Sequence, residues 1–274
     1  MSTIWRSDAG AEAVRAQYRK LLDLWPSPSE RLTVPTRFGE TFVLACGPKD
    51  APPLLLFHGS GANAAMWLRD IVAWAEHFRC YAVDMIGEPG LSAPSRPPLG
   101  SDANALWLDD VIAGLGLGRA SIVGVSLGGW LALDYATRRP ERVEKLALLC
   151  PGGIGRQKST VLFALPLLFF GHWGRRRLMR FVLGRISEAA PFMSLTFKHF
   201  RPRRERLPVF SDAALKSLAI PVLAIVGARD VLLDSRGTKR RLDAHVKTAD
   251  VRLLPDAGHL IADQTLPILA FLCG

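Results

Sequence analysis

Cysteine is scarce in the 274-residue chain, and the four present, Cys46, Cys80, Cys150 and Cys273, lie more than thirty residues apart. That spacing excludes a zinc-ligand pattern and a small disulfide framework, so reduced thiols in a cytoplasmic protein are expected. Long hydrophobic runs are also missing. The longest, Val161 to Phe170, is ten residues with a proline inside, well short of a membrane span. The first residues are polar and charged, with neither an apolar signal core nor a cleavage site, so no secretion is expected. There is no internal repeat and no low-complexity tract.

Acidic residues are outnumbered, 25 against 35 Lys and Arg, which raises the question of nucleic acid or an anionic membrane. The surplus is local. Residues 152–212 hold twelve Lys and Arg against three Asp and Glu, a surplus of nine in a chain of net charge +10. Arginines 175, 176, 177, 180, 201, 203, 204 and 206 make this segment cationic, with no recognition motif beside it, so no nucleic-acid partner is expected. A solvated face is the first reading of that charge, and contact with an anionic membrane surface or attraction of an acidic substrate is the second.

What is present is 49% apolar and 22% charged, ordinary for a globular protein. The informative stretch is Ala120 to Tyr135. Ser121 to Val125 is rich in β-branched residues, as a buried strand should be, and Leu127 to Arg138 carries apolar residues at helical spacing. Ser126 stands at the joint, with Gly124 and Gly128 completing G-x-S-x-G, the nucleophile elbow. Small residues are needed two before and two after the serine because the backbone folds back on itself there.

Around this element strands and helices alternate. Val14, Tyr18, Leu21, Leu22 and Trp25 share one face of a helix that ends at Pro26. A hairpin about Gly39 joins strands 31–38 and 40–46. Strands follow at 54–57, 80–84, 121–125 and 145–149, then at 222–226 and 251–254. Helices are predicted over 64–76, 102–114, 127–138, 235–245 and 264–272. Such alternation implies a parallel sheet covered on both faces. Between the sixth and seventh strands it is interrupted by an aromatic, basic, mostly helical segment. The expected organisation is therefore a core of residues 1–151 and 218–274 with a helical cap, 152–217, over the edge of the sheet where sites lie in open α/β folds.

A serine hydroxyl needs a base within hydrogen-bond reach, itself held by a third group. After the elbow, strand 222–226 runs into Gly227-Ala-Arg-Asp230, and strand 251–254 runs into Pro255-Asp-Ala-Gly-His259. The order Ser, Asp, His follows the elbow pattern. Ser126 is thus assigned as nucleophile, His259 as base and then acid, and Asp230 as the carboxylate that orients the imidazole. Singly, each has a plainer explanation: a small turn residue, a loop histidine, a helix cap. Asp234 and then Asp256 are the alternatives to Asp230. The developing oxyanion requires backbone donors. Leu127, at the helix N-terminus, is one candidate, and Ser60 in the loop His58-Gly-Ser-Gly61 is the second, with Gly61 as its alternative. His58 is expected to brace that loop. Met66 and Trp67, with Gly61, are candidates for a substrate-pocket wall, core being the preferred reading of the first two. The nine aromatics of the cap, from Phe163 to Phe210, are expected mostly to seal it and in part to line an apolar pocket.

These residues, with the Asp84 to Ser92 turn and Gly129, resemble the α/β-hydrolase superfamily over nearly the whole chain, and most of all its small bacterial carboxylesterases with a helical lid. The resemblance implies a mostly parallel eight-stranded sheet flanked by helices, with the cap after strand 6. It also implies hydrolysis of a small-molecule carboxylic ester with a hydrophobic moiety through an acyl-enzyme, with no metal and no organic cofactor. Relatives with an aspartate nucleophile are set aside by Ser126. Carbon-carbon bond hydrolases typically carry tryptophan after the catalytic histidine, where this chain has Leu260. Carbon-carbon hydrolysis, thioester hydrolysis or acyl transfer on the same triad, or a ligand-sensing protein that retains it, are the alternatives. One departure from the family is Gly87-Glu-Pro-Gly90, where the usual turn has a single residue between its glycines. It is expected to reshape the pocket rim without touching the triad.

Overall fold

A computed structural model describes residues 4–158 and 190–274, together with residues 171, 173, 174 and 177. The aromatics 163, 169, 170 and 181, the run 161–170 and arginines 175, 176 and 180 lie outside the described residues. The strands are β1 (Ser29–Val34), β2 (Thr41–Cys46), β3 (Pro53–Phe57), β4 (Arg79–Val83), β5 (Ala120–Val125), β6 (Val143–Leu149), β7 (Val222–Gly227) and β8 (Ala249–Leu254). They form one sheet in the order β1-β2-β4-β3-β5-β6-β7-β8. β1 and β2 pair antiparallel, as does β2 with β4; every pairing from β4 through β8 is parallel.

Parallel strands covered on both faces should be apolar without alternation. β5 and β7 are accordingly buried along their whole length. The described α-helices are α1 (Asp8–Asp23), α2 (Ile71–Trp74), α3 (Ala103–Gly114), α4 (Leu127–Arg138), α5 (Ala190–His199), α6 (Asp212–Lys216), α7 (Ser235–His245) and α8 (Thr265–Cys273). One face of the sheet packs residues such as Trp107 of α3, Trp130 of α4 and Leu242 of α7. The other packs Tyr18 of α1, Trp74 of α2 and Ile268 of α8. Strand order reverses between β3 and β5, because the chain goes from β3 out to β4 and then crosses back. The loops leaving these two strands part there and open a crevice.

Two predicted elements differ in detail. The hairpin turn is wider than a pivot on Gly39, because Pro35 has no amide to continue the ladder and β1 stops at Val34. The single helix expected over 64–76 is divided into a 3-10 turn, Ala64–Trp67, and α2. A continuous helix would separate residues 67 and 74 by about 10 Å along its axis. The break instead packs the two indoles at 5.6 Å between ring centroids.

Both ends of the inserted segment are knit into the rest of the fold. The Lys158 amide donates to the Leu232 carbonyl, and the Gly155 amide to Thr238 Oγ1. Leu215 of α6 is fully buried in the core, and α5 packs against α1, with Trp5 meeting Phe200 edge to face. No described helix is long and apolar enough to cross a membrane.

Candidate active site

Ser126 links β5 to α4 with φ 53° and ψ −106°, a conformation that a side chain other than glycine's rarely adopts. The two elbow glycines are demanded by backbone crowding. A Cβ on Gly124 would lie 2.6 Å from the Gly128 carbonyl oxygen, and one on Gly128 only 2.3 Å from that of Phe57. Backbone of the central strand cannot give way cheaply. Gly128→Ala is therefore expected to cost about 3 kcal/mol or more, a loss of roughly 6–12 °C in Tm by calorimetry.

The loops after β5, β7 and β8 bring three side chains together. His259 Nε2 is 3.0 Å from Ser126 Oγ, and His259 Nδ1 is 2.7 Å from Asp230 Oδ2. The other carboxylate oxygen of Asp230 accepts the amides of Leu232 at 2.7 Å and Leu233 at 3.0 Å. Burial works to raise the pKa of Asp230, but the hydrogen bond and charge of His259 and those two amides outweigh it and hold the carboxyl below its ordinary value. A carboxylate so fixed accepts a hydrogen bond from Nδ1–H, which keeps that proton on the ring and leaves Nε2 as the acceptor facing the hydroxyl. Gly227 permits the approach of the last two loops, since a Cβ there would meet the Gly258 carbonyl at 2.2 Å. The alternative acids stand elsewhere: Asp234 caps α7 through the Gly237 amide, and Asp256 pairs with Arg229 at the surface.

His58 is fully buried, and burial pushes its pKa down to about 4 against the hydrogen bond its ring donates to the Gly59 carbonyl. The neutral ring accepts the Met85 amide at Nε2, 3.0 Å away, and its Nδ1 donates to the Gly59 carbonyl at 2.8 Å. It thus fastens the loop after β3 to the turn after β4, as expected of a brace. Ser60 is exposed at the tip of that loop, and among the described residues no backbone acceptor takes its amide. Leu127 is the first residue of α4, where an amide has no partner within the helix. Gly61, the alternative donor, is already engaged: its amide donates to Glu88 Oε2 at 2.7 Å.

Of the proposed pocket residues, Gly61 faces the Phe197 ring, 3.4 Å from where its Cβ would stand. Trp67 is 1% exposed and packed on Trp74, and Met66 packs on the same core. Trp67 is therefore interior, whereas Met66 is half-buried at the edge of that cluster. Phe192, Phe200 and Phe210 pack against Tyr18, Trp5 and Trp130 respectively.

Cys150, Asp230 and His259 have potential metal-ligating atoms within 4.8 Å of one another. The set does not suit a metal. Asp230 and His259 are bonded to each other, and burial, then the Asp230 charge, pushes the Cys150 thiol up, away from the thiolate a metal requires.

Glu88 was not anticipated as a site residue. The two residues between Gly87 and Gly90 carry it inward, where it is 2% exposed and lines a cavity of about 30 Å³ with Leu127, Trp130 and Arg203. Burial pushes its carboxyl up to about 7, against the pull of the Gly61 amide, Arg96, Arg203 and Ser60. Asp84 is likewise raised by burial, to about 6, against hydrogen bonds from Leu91, Ala64 and Tyr18. The unfolded chain releases these protons near the ordinary carboxyl range while the folded chain keeps them, so stability is full at about pH 4 and lost as pH rises through 6 to 7. Urea unfolding should find Glu88→Gln on the order of 3 kcal/mol more stable than the parent at about pH 8 and equal to it at about pH 4.

An eight-stranded sheet with a strained serine between β5 and α4, at the reversal of strand order, defines the α/β-hydrolase class. The chain belongs to the alpha/beta hydrolase family, whose model matches residues 54–268. It is 32% identical over 273 residues to carboxylesterase YbfK of Bacillus subtilis (strain 168), covering 94% of this chain and 92% of that one. The crystal structure of carboxylesterase CesB (YbfK) superposes with a TM-score of 0.85 over 97% of this chain and 99% of that one, at 32% identity. That of naproxen esterase (carboxylesterase NP), also from Bacillus subtilis, gives 0.82 at 27% identity, covering 97% of both chains.

Proposed function

We propose that the chain is a serine carboxylesterase in which Ser126 is the nucleophile, His259 the base and then acid, and Asp230 the residue that orients the imidazole. The observation that carries this reading is the pair of contacts at 3.0 and 2.7 Å that links the hydroxyl through the ring to a buried carboxylate. His259 takes the Ser126 proton as Oγ attacks the ester carbonyl, and the negative charge moves onto the carbonyl oxygen. The amides of Ser60 and Leu127 receive that charge. His259 then returns the proton to the departing alcohol, leaving an acyl-enzyme that water, deprotonated by the same ring, hydrolyses. No step requires a metal or organic cofactor.

Similarity to carboxylesterases of known fold supports an ester as the substrate, and Phe197 beside Gly61 supports a hydrophobic moiety on it. Residues 152–217 act as the cap. Arg201, Arg204 and Arg206, all exposed, form a solvated face, so flotation with liposomes should show no preference for anionic lipid. Cys46 and Cys80, buried opposite each other on β2 and β4 as free thiols, support placement in the reducing cytoplasm.

The test is hydrolysis of p-nitrophenyl butyrate and a matched thioester, with a vinylogous diketone as carbon-carbon substrate. The ester should be turned over fastest. Faster cleavage of either rival substrate transfers the assignment to that chemistry. Turnover of none, with fluorophosphonate leaving Ser126 unmodified, removes the enzymatic reading.

A further inference from the structure

The Ser126–His259–Asp230 array makes no use of Glu88, yet this side chain reaches the oxyanion loop. Its Oε2 accepts the Gly61 amide at 2.7 Å and lies 3.4 Å from Ser60 Oγ. The loop is thus held on both sides of Ser60: the Gly59 carbonyl accepts from His58, and the Gly61 amide donates to Glu88. Gly59 itself is packed against the nucleophile, its Cβ position 3.8 Å from that of Ser126. Ser60 is the residue between these ties, and its orientation is set by them. Glu88 also lines the same small cavity as Leu127, so the acid borders both elements that supply amides to the reacting oxygen.

We propose that Glu88 is a positioning residue that aims the Ser60 amide by holding Gly61, and that it serves the reaction as a neutral acid. The inference rests on the reading of Ser60 and Leu127 as oxyanion donors. A carboxylic acid can accept the Gly61 amide through its carbonyl oxygen as well as a carboxylate can, without placing a negative charge beside one that is forming. Ionised, Glu88 opposes that charge. The charged groups that act on it are Arg96, from the segment after the Gly87–Gly90 turn, and Arg203, from the return of the cap; Ser60 faces it from the loop. α4 presents only Leu127, Trp130 and Leu131 to the cavity. With burial pushing this carboxyl up to about 7, its charge changes near neutrality.

The experiment measures kcat and KM for p-nitrophenyl butyrate from about pH 6 to about pH 9 in the parent, Glu88→Ala, Glu88→Gln and Ser126→Ala. Misaiming one donor should lower kcat in Glu88→Ala by about 10- to 100-fold with KM within about threefold. Glu88→Gln, whose amide oxygen can still hold Gly61, should recover most of that loss. The parent should lose rate on the alkaline side with a midpoint near neutrality, and Glu88→Gln should not.

The proposal is overturned by kcat in Glu88→Ala within about threefold of the parent, by equal losses in the two variants, or by an alkaline decline that is absent from the parent or retained in Glu88→Gln. Should Glu88→Ala fail to fold by circular dichroism, the Glu88→Gln profile decides alone. Activity surviving in Ser126→Ala refutes the nucleophile assignment instead, which separates the two failures.

Discussion

Replacing Ser126 by alanine lowers kcat on p-nitrophenyl butyrate by about 10⁴- to 10⁶-fold, abolishes fluorophosphonate labelling and leaves Tm within about 2 °C. The size of the loss follows from what remains. On the proposed mechanism, the site without Oγ still holds two backbone donors and an imidazole, so water is left as the only nucleophile, oriented by nothing covalent. Such residual sites retain only a small part of the full acceleration. Folding should survive because Ser126 Oγ makes its hydrogen bond to His259 alone among the described residues, and alanine is smaller. The strained φ of 53° remains, imposed by the pairing of β5 with its neighbours rather than by the hydroxyl. A variant that keeps more than about a hundredth of the parent rate sinks the assignment.

Asp230→Asn is the second large effect, a fall in kcat of about 10⁴-fold with little change in KM. The isosteric amide still fits beside His259 Nδ1, but its geometry changes character. Asp230 Oδ1 is held by the amides of Leu232 and Leu233 at 2.7 and 3.0 Å, so the carbonyl oxygen of asparagine must occupy that position. The NH2 group is then turned toward His259 Nδ1, which has to accept rather than donate. The proton is displaced to Nε2, where it faces Ser126 Oγ and blocks deprotonation. Direct observation of the ring proton by nuclear magnetic resonance should place it on Nδ1 in the parent and Nε2 in the variant. A normal rate in Asp230→Asn would falsify the orienting role.

The convergence of Ser126, Asp230 and His259 was legible in the sequence for a physical reason. A serine on a reversed turn needs glycines at fixed offsets, and the last two strands, β7 and β8, run into an acid and an imidazole in the order the sheet requires. His58 as a brace was legible from the same loop. Glu88 was not, because a buried acid in a turn has no periodicity and no motif; the only signal was the extra residue between Gly87 and Gly90. Trp67 shows the opposite limit. Its place in the chain after the loop His58–Gly61 fits a pocket wall, and only three-dimensional packing against Trp74 assigns it to the interior. The split of the 64–76 helix was hidden for the same reason, since periodicity reports which residues face inward and not how tightly the backbone turns.

The Ser126 hydroxyl and the His259 ring that meets it are 133 residues apart in the chain. During translation the alcohol emerges long before the imidazole, and at usual ribosomal speeds the interval is roughly 7 to 27 s. On the proposed mechanism, the nascent polypeptide carries through that interval a serine without the imidazole that would activate it, and it stays inert toward esters until residue 259 has emerged.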